Sequence, residues 1–179
     1  MRREKIRDLC LTALFAALIT VCSWITIPVF SIPYTMQTFA VFLASGILGG
    51  KRGFFAVAVY LFLGAVGVPV FSGFRGGISA LFGTTGGYLL GFLATALLIW
   101  AVTSAFGRSL PVLAGAMADG LLACYAFGTA WFWILYTREN GPTALSAVLG
   151  WCVVPYVIPD LVKMALAVML SARLRKYAE

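Results

Sequence analysis

The chain contains no histidine. That removes imidazole metal sites, the commonest general base, and every Ser-His or Cys-His nucleophile pair. Charge is also scarce: 11% of the 179 residues are charged, against about 25% in an ordinary soluble domain. Six acidic residues form no paired-carboxylate motif, so acid–base enzymes lose their second common apparatus. The four cysteines, Cys10, Cys22, Cys124 and Cys152, lie far apart without a C-x-x-C. Each falls in an apolar run and reads as a small packing residue. No periodic repeat, coiled-coil heptad or low-complexity tail is present, and the two halves are not alike enough to suggest internal duplication.

What the sequence has instead is apolar length. Hydrophobic residues make up 62% of it, and the mean hydropathy is +1.00. Too few charges remain to complete the polar face of a soluble core, so the chain reads as an integral membrane protein, with the lipid bilayer as its solvent. The net charge of +7 does not indicate nucleic acid, because the basic residues form no patch interleaved with aromatics. They sit at the chain ends and in loops.

Charge-free runs span residues 9–50, 53–74, 76–107, 120–137 and 140–159, and a membrane-spanning helix needs about 20 apolar residues. The first run is too long for one helix and is interrupted by Pro28 and Pro33. The spacing therefore predicts a single all-α domain, residues 1–179, built as a compact bundle of six transmembrane helices near 7–27, 35–50, 53–67, 86–106, 110–137 and 156–174. The second and third are short for the bilayer and leave a depression at one face. The basic start followed by an apolar run imitates a signal peptide, but its length and the five further spans favour an uncleaved first helix.

The distribution of Lys and Arg orients the bundle. With the N-terminus inside, cytoplasmic segments hold Arg2, Arg3, Lys5, Arg7, Lys51, Arg52, Arg108, Arg173, Arg175 and Lys176, while outer segments hold Arg75 and Arg138. Both termini are then cytoplasmic, and loops 28–34, 68–85 and 138–155 face outward. Two of these are long enough to fold back as lids.

Lys163 is left inside the membrane with Asp160, three residues away and on the same helical face. Counting from Arg173 at the inner surface places Lys163 roughly 15 Å and Asp160 roughly 20 Å deep in a core about 30 Å thick. An ionisable group there costs at least about 2.5 kcal/mol and marks a functional site or, more blandly, a mutually neutralising pair. Pro159 suggests a helix start or break that would aim backbone N–H groups at the carboxylate. Asp119 also lies mid-span, where it neutralises Lys163 across the bundle, meets a ligand directly, or binds nothing.

The outer loop and the next helix are rich in glycine: Gly67, Gly73, Gly76, Gly77, Gly83, Gly86, Gly87 and Gly91. Such residues admit close approach of a ligand or of another helix, and the spacing of Gly83, Gly87 and Gly91 fits a helix-packing face equally well. Tyr88 offers a ring and a hydroxyl at a cavity mouth. Arg75, alone in its loop, either attracts an anion or is simply solvated. Ala13 and Ala17, with Ala16 beside them, form a smooth stripe for an internal or an external helix. The stretch Gly50-Lys51-Arg52 is no phosphate loop: Ser45 stands where the first Gly belongs, and Arg52 where Ser or Thr would hold Mg²⁺.

Five ordered motifs now stand together: Pro33-x-Thr35-x-Gln37-Thr38; Gly67-Val68-Pro69-Val70-Phe71 with Gly76-Gly77; Gly83-x-Thr85-Gly86-Gly87-Tyr88; Tyr125-x-x-Gly128-x-x-Trp131; and Pro155-Tyr156-x-x-x-Asp160-x-x-Lys163. Over nearly the whole chain they resemble the BioY family, the biotin-specific S-components of energy-coupling factor transporters. The resemblance implies a non-enzymatic six-helix subunit that binds biotin from the outer side as a transported ligand, with no cofactor. It also implies a membrane coupling subunit, met by Ala13 and Ala17, and two cytoplasmic ATPases. The family usually has Pro where Thr84 stands here, which leaves that loop's contacts open.

Biotin's chemistry matches the same residues. Asp160 can accept from the ureido N–H groups, Lys163 can donate to the ureido oxygen or to the carboxylate, and Tyr88 with Phe71 can cover the ring. Gln37, Arg75, Gly86 and Gly87 complete the expected site. Another vitamin, a membrane transferase using Asp119 and Asp160, and a small channel remain as alternatives. The motifs, the missing histidine and the single ion pair in place of a ring of charges weigh against each in turn.

Overall fold

The computed structural model describes residues 2–27 and 32–178. It is helical apart from one short pair of strands. In chain order the elements are α1 (Arg2–Trp24), β1 (Thr26–Ile27), β2 (Tyr34–Thr35), α2 (Gln37–Leu48), α3 (Gly50–Ala65), α4 (Ile78–Phe82), α5 (Gly86–Phe106), α6 (Leu110–Asn140), α7 (Leu145–Cys152) and α8 (Val154–Ala178). Four stretches are long and apolar enough to cross a membrane: α1, α5, α6, and α7 with α8 taken together. This is a membrane protein.

The core is organised around the shortest of the major helices. α2 has apolar residues on every side, and Ala40 to Leu48 are all buried, as expected of a helix without a polar face. It packs against α1, α3, α5 and α8. Twelve residues rise only about 18 Å, well short of a core about 30 Å thick. The level beyond Gln37 is therefore left to side chains from other elements, and a small cavity that includes Asp160 and Lys163 in its lining lies there.

At the other end of α2 the chain reverses sharply into α3 through Gly49, whose φ of 87° is costly for any residue with a Cβ. Arg108 closes this end by donating to the Gly46 and Ile47 carbonyls at 2.9 and 3.3 Å. Arg175 donates in turn to the Arg108 carbonyl at 2.7 Å. These bonds place the end of α2, the start of α6 and the end of α8 at one level. Arg52 is ion-paired with Asp8 at 3.0 Å.

Several boundaries differ from the sequence expectation for physical reasons. α1 starts at Arg2, not near 7, because its charged first turns can stay helical in water. It ends at Trp24, not 27, because Thr26 and Ile27 pair with Thr35 and Tyr34; Pro28, which was expected to end it, lies outside the described residues. α5 runs over 86–106 as read from sequence, and α6 over 110–140, ending at Gly141 (φ 89°). The loops expected at 68–85 and 138–155 contain α4 and α7. The first of these is held down on the end of α1: Ser23 donates to the Val70 carbonyl, Trp24 Nε1 to Pro69 O at 3.1 Å, and the Thr26 and Ser72 hydroxyls meet at 3.1 Å.

The break expected at Pro159 does not occur. α8 begins at Val154 and continues through Pro159. A proline this near a helix start forfeits one backbone bond, that to the Pro155 carbonyl, and leaves the rest of the ladder intact. The N-terminus of α8 therefore does not lie at Asp160, whose carboxylate is held by the Lys163 and Tyr125 side chains.

Candidate functional site

The cavity beyond the start of α2 gathers residues from the β2–α2 junction, the loop after α3 and helices α2 and α4–α8. Its walls include Thr35 and Gln37 at the β2–α2 junction, Phe71, Ser72 and Arg75 from the loop after α3, and Tyr88, Leu89 and Phe92 from α5. α6 contributes Leu121, Cys124 and Tyr125, and α7 and α8 contribute Cys152, Tyr156, Asp160 and Lys163. The free space between these side chains is about 70 Å³, far below the 300 Å³ or more usual for a small-molecule pocket. A ligand of that size therefore needs the lining to move apart.

Asp160 and Lys163 are each only 4% exposed. Lys163 Nζ donates to Asp160 Oδ1 at 2.9 Å and to the Thr35 carbonyl at 2.6 Å, and sits 4.0 Å from the centre of the Tyr34 ring. Its three donors are thus directed at a carboxylate, a carbonyl and a π face. Tyr125 donates to the other carboxylate oxygen, Oδ2, at 2.7 Å. A carboxylate offers about four lone-pair positions. Two are used here, one on each oxygen, and Asp160 lines the cavity.

The surrounding shell is fixed with equal care. Thr35 Oγ1 donates to Gln37 Oε1 at 3.0 Å, and Gln37 Nε2 donates to the buried Tyr60 hydroxyl. Tyr156 donates to the Ile32 carbonyl, so α8 holds the segment before α2 at two points. The Tyr88 hydroxyl bonds Thr129 Oγ1 at 2.9 Å. Phe71 stands edge-on to Tyr60, with centroids 5.5 Å apart. A Cβ on Gly64 would collide with the Phe71 ring, so glycine at 64 lets Phe71 seat against α3. Arg75 is exposed at the rim, its Nε donating to Ser72 O at 3.1 Å.

Of the residues singled out from sequence, Asp160, Lys163, Tyr88, Phe71, Gln37 and Arg75 line this one cavity. Gly86 and Gly87 do not. A Cβ on Gly86 would strike the Leu81 carbonyl, and one on Gly87 the Trp131 side chain; both serve the packing of α5 against its neighbours. Gly91 meets Cys124 of α6 in the same way. Gly83 lies outside the helix and accepts a bond from Trp131 Nε1 at 3.0 Å. Asp119 is exposed on α6 and is not the partner of Lys163, which Asp160 holds. Ala13 and Ala17 are exposed on α1, while Ala16 is buried.

Tyr125, Tyr34 and Thr35 are the functional neighbours that residue-type reasoning missed. Tyr125 and Thr35 stood within the quoted motifs, and a buried carboxylate's need for a second donor was the signal for a tyrosine. Cys124 and Cys152 line the wall as free thiols, consistent with small packing residues. Among the described residues no group of three or more Cys, Asp or Glu could hold a metal ion.

The BioY family model matches residues 1–179. The chain belongs to the BioY family. It is 41% identical over 170 residues to a biotin transporter BioY of Thermotoga maritima, covering 95% of this chain and 96% of that one. It is 39% identical over 173 residues to a probable biotin transporter BioY of Pyrococcus horikoshii, covering 96% and 98%. Among solved structures it is similar to the S-component for biotin from an ECF-type ABC transporter, with a TM-score of 0.84 and 26% identity over 98% of this chain and 94% of that one. BioY-family relatives are thus named as transporters, not as enzymes.

Proposed function

We propose that this chain captures biotin with high affinity as the substrate-binding subunit of an energy-coupling factor transporter. The observation that carries the reading is the buried Asp160–Lys163–Tyr125 cluster, facing a cavity in a BioY-family chain. An unused lone-pair position of Asp160 accepts one of the two ureido N–H groups, whose bonds diverge on opposite sides of the five-membered ring. Lys163 keeps the carboxylate in place and ties it to the Thr35 segment. Phe71 and Tyr88 flank the thiophane ring, and Arg75 at the rim receives the carboxylate tail. Gln37 orders the floor through Thr35 and Tyr60, and Gly86 and Gly87 act through the seating of α5.

In this reading the 179 residues form one domain with six membrane spans: α1, α2, α3, α5, α6, and α8 with α7. Arg108, Arg175 and Arg52 mark the cytoplasmic end with both termini, and the cavity opens outward. The short α2 leaves the site part-way down the bilayer. Ala13 and Ala17 meet a membrane coupling subunit, and two cytoplasmic ATPases supply the hydrolysis, since the chain has no phosphate loop. Biotin is cargo, so no cofactor is required, and nucleic acid plays no part.

Uptake of labelled biotin by cells lacking their own biotin transporter tests this function. Accumulation should rise on co-expression with an energising module and disappear with Asp160→Asn. Uptake that ignores both would refute it.

A further inference from the structure

A second cleft, of about 940 Å³, opens at the Arg108 end of the bundle among α1, α3 and α5 and shares no lining residue with the first. Lys5, Arg7, Lys51, Arg52 and Arg108 line it against two acids, Glu4 and Asp8, an excess of three positive charges. Asp8 is already held by Arg52 at 3.0 Å. Lys5, Arg7 and Lys51 are exposed and make no ion pair among the described residues.

The cleft is not polar throughout. Leu9, Phe55 and Val59 also line it, exposed by 72%, 47% and 37%. Phe55 and Val59 continue along α3 to Phe62 and to Val66 at its C-cap, also exposed. Their spacing of i, i+4, i+7 and i+11 keeps them on one helix face. The apolar stripe runs about 16 Å from the basic rim into the depth of the bilayer.

Basic groups converging at the membrane surface above an apolar track match an anionic headgroup with its acyl chain. We propose that this cleft binds one anionic glycerophospholipid. Lys5, Arg7 and Lys51 hold the headgroup phosphate, and the Phe55–Val59–Phe62 face holds a chain. Inorganic phosphate shares the headgroup chemistry but has nothing for the stripe.

The full chain in phosphatidylcholine nanodiscs is titrated with phosphatidylglycerol, reading Tm and the lipid retained in native mass spectrometry. We expect a saturable rise in Tm and one phosphatidylglycerol kept under conditions that strip phosphatidylcholine, with no effect of inorganic phosphate at the same concentration. The triple variant K5Q/R7Q/K51Q should raise the half-saturating fraction at least about tenfold. The charge-matched control R3Q/R173Q/K176Q, at basic residues outside the cleft, should change it less than about threefold. Equal shifts in both variants would mean attraction by bulk surface charge only and would overturn the site. So would equal retention of both lipids, or saturation by inorganic phosphate, in the unmutated chain. Biotin binding, read separately, does not bear on this result.

Discussion

Replacing Lys163 by Met probes the buried cluster most sharply, because removing one partner of a buried ion pair is worse than removing both. Lys163→Met loses the 2.9 Å contact to Asp160 and the 2.6 Å bond to the Thr35 carbonyl. It leaves a carboxylate that is 4% exposed with Tyr125 as its remaining donor. Breaking such a pair costs about 3 to 5 kcal/mol. Asp160→Asn added to Lys163→Met removes the orphaned charge and keeps an acceptor for Tyr125. The residual cost is then chiefly the unsatisfied Thr35 carbonyl, about 1 to 3 kcal/mol. The double variant should therefore be the more stable of the two by about 2 kcal/mol, several degrees in Tm for a chain of this size. With exposed Cys10 replaced by Ser, buried Cys22, Cys124 and Cys152 make a thiol-reactive dye a direct reporter of unfolding in detergent. Neither variant should retain high-affinity biotin binding. A double variant as unstable as Lys163→Met, or more so, would refute the reasoning that the charges are coupled chiefly to each other.

Tyr125→Phe removes a charge-assisted bond to Asp160 and should lower stability by about 1.5 to 3 kcal/mol, read as a fall in Tm by the same assay. Gly64→Ala puts a methyl group against the Phe71 ring; overpacking of this kind costs about 1 to 3 kcal/mol and should push Phe71 into the cavity, weakening biotin binding in calorimetry. Asp119→Asn, at an exposed position of α6 that does not line the cavity, should leave biotin affinity within about twofold. Ala13→Leu with Ala17→Leu should leave biotin binding intact while abolishing co-purification with the coupling subunit, since bulk on a small-residue stripe prevents close helix approach.

The helical architecture was legible because membrane spans depend on uninterrupted apolar length, and the charges that end them are few. α5 is bounded by Thr85 and Gly107 and reads cleanly. The pairing of Lys163 with Asp160 on one buried helix face followed from their i, i+3 spacing. The two termini of α1 were less legible: water lets its charged start remain helical, and a two-residue strand pair ends it, a tertiary event without a local signal. Pro159 misled because a proline's effect depends on how many backbone bonds precede it, which is set by where α8 begins. Gly86 and Gly87 look alike as ligand-approach or packing glycines until a neighbour is known, and the neighbours are the Leu81 carbonyl and Trp131. Tyr125 was hidden because its role arises only when α6 meets α8, 35 residues away in sequence.

The measurement that tests the central claim most directly is calorimetric titration of the purified single subunit in detergent with biotin, with riboflavin and thiamine as controls. The account predicts tight, saturable binding of biotin alone, weakened at least about tenfold, 1.4 kcal/mol, by Asp160→Asn. Folded protein that binds none of the three, or that binds biotin unchanged after Asp160→Asn, would contradict it.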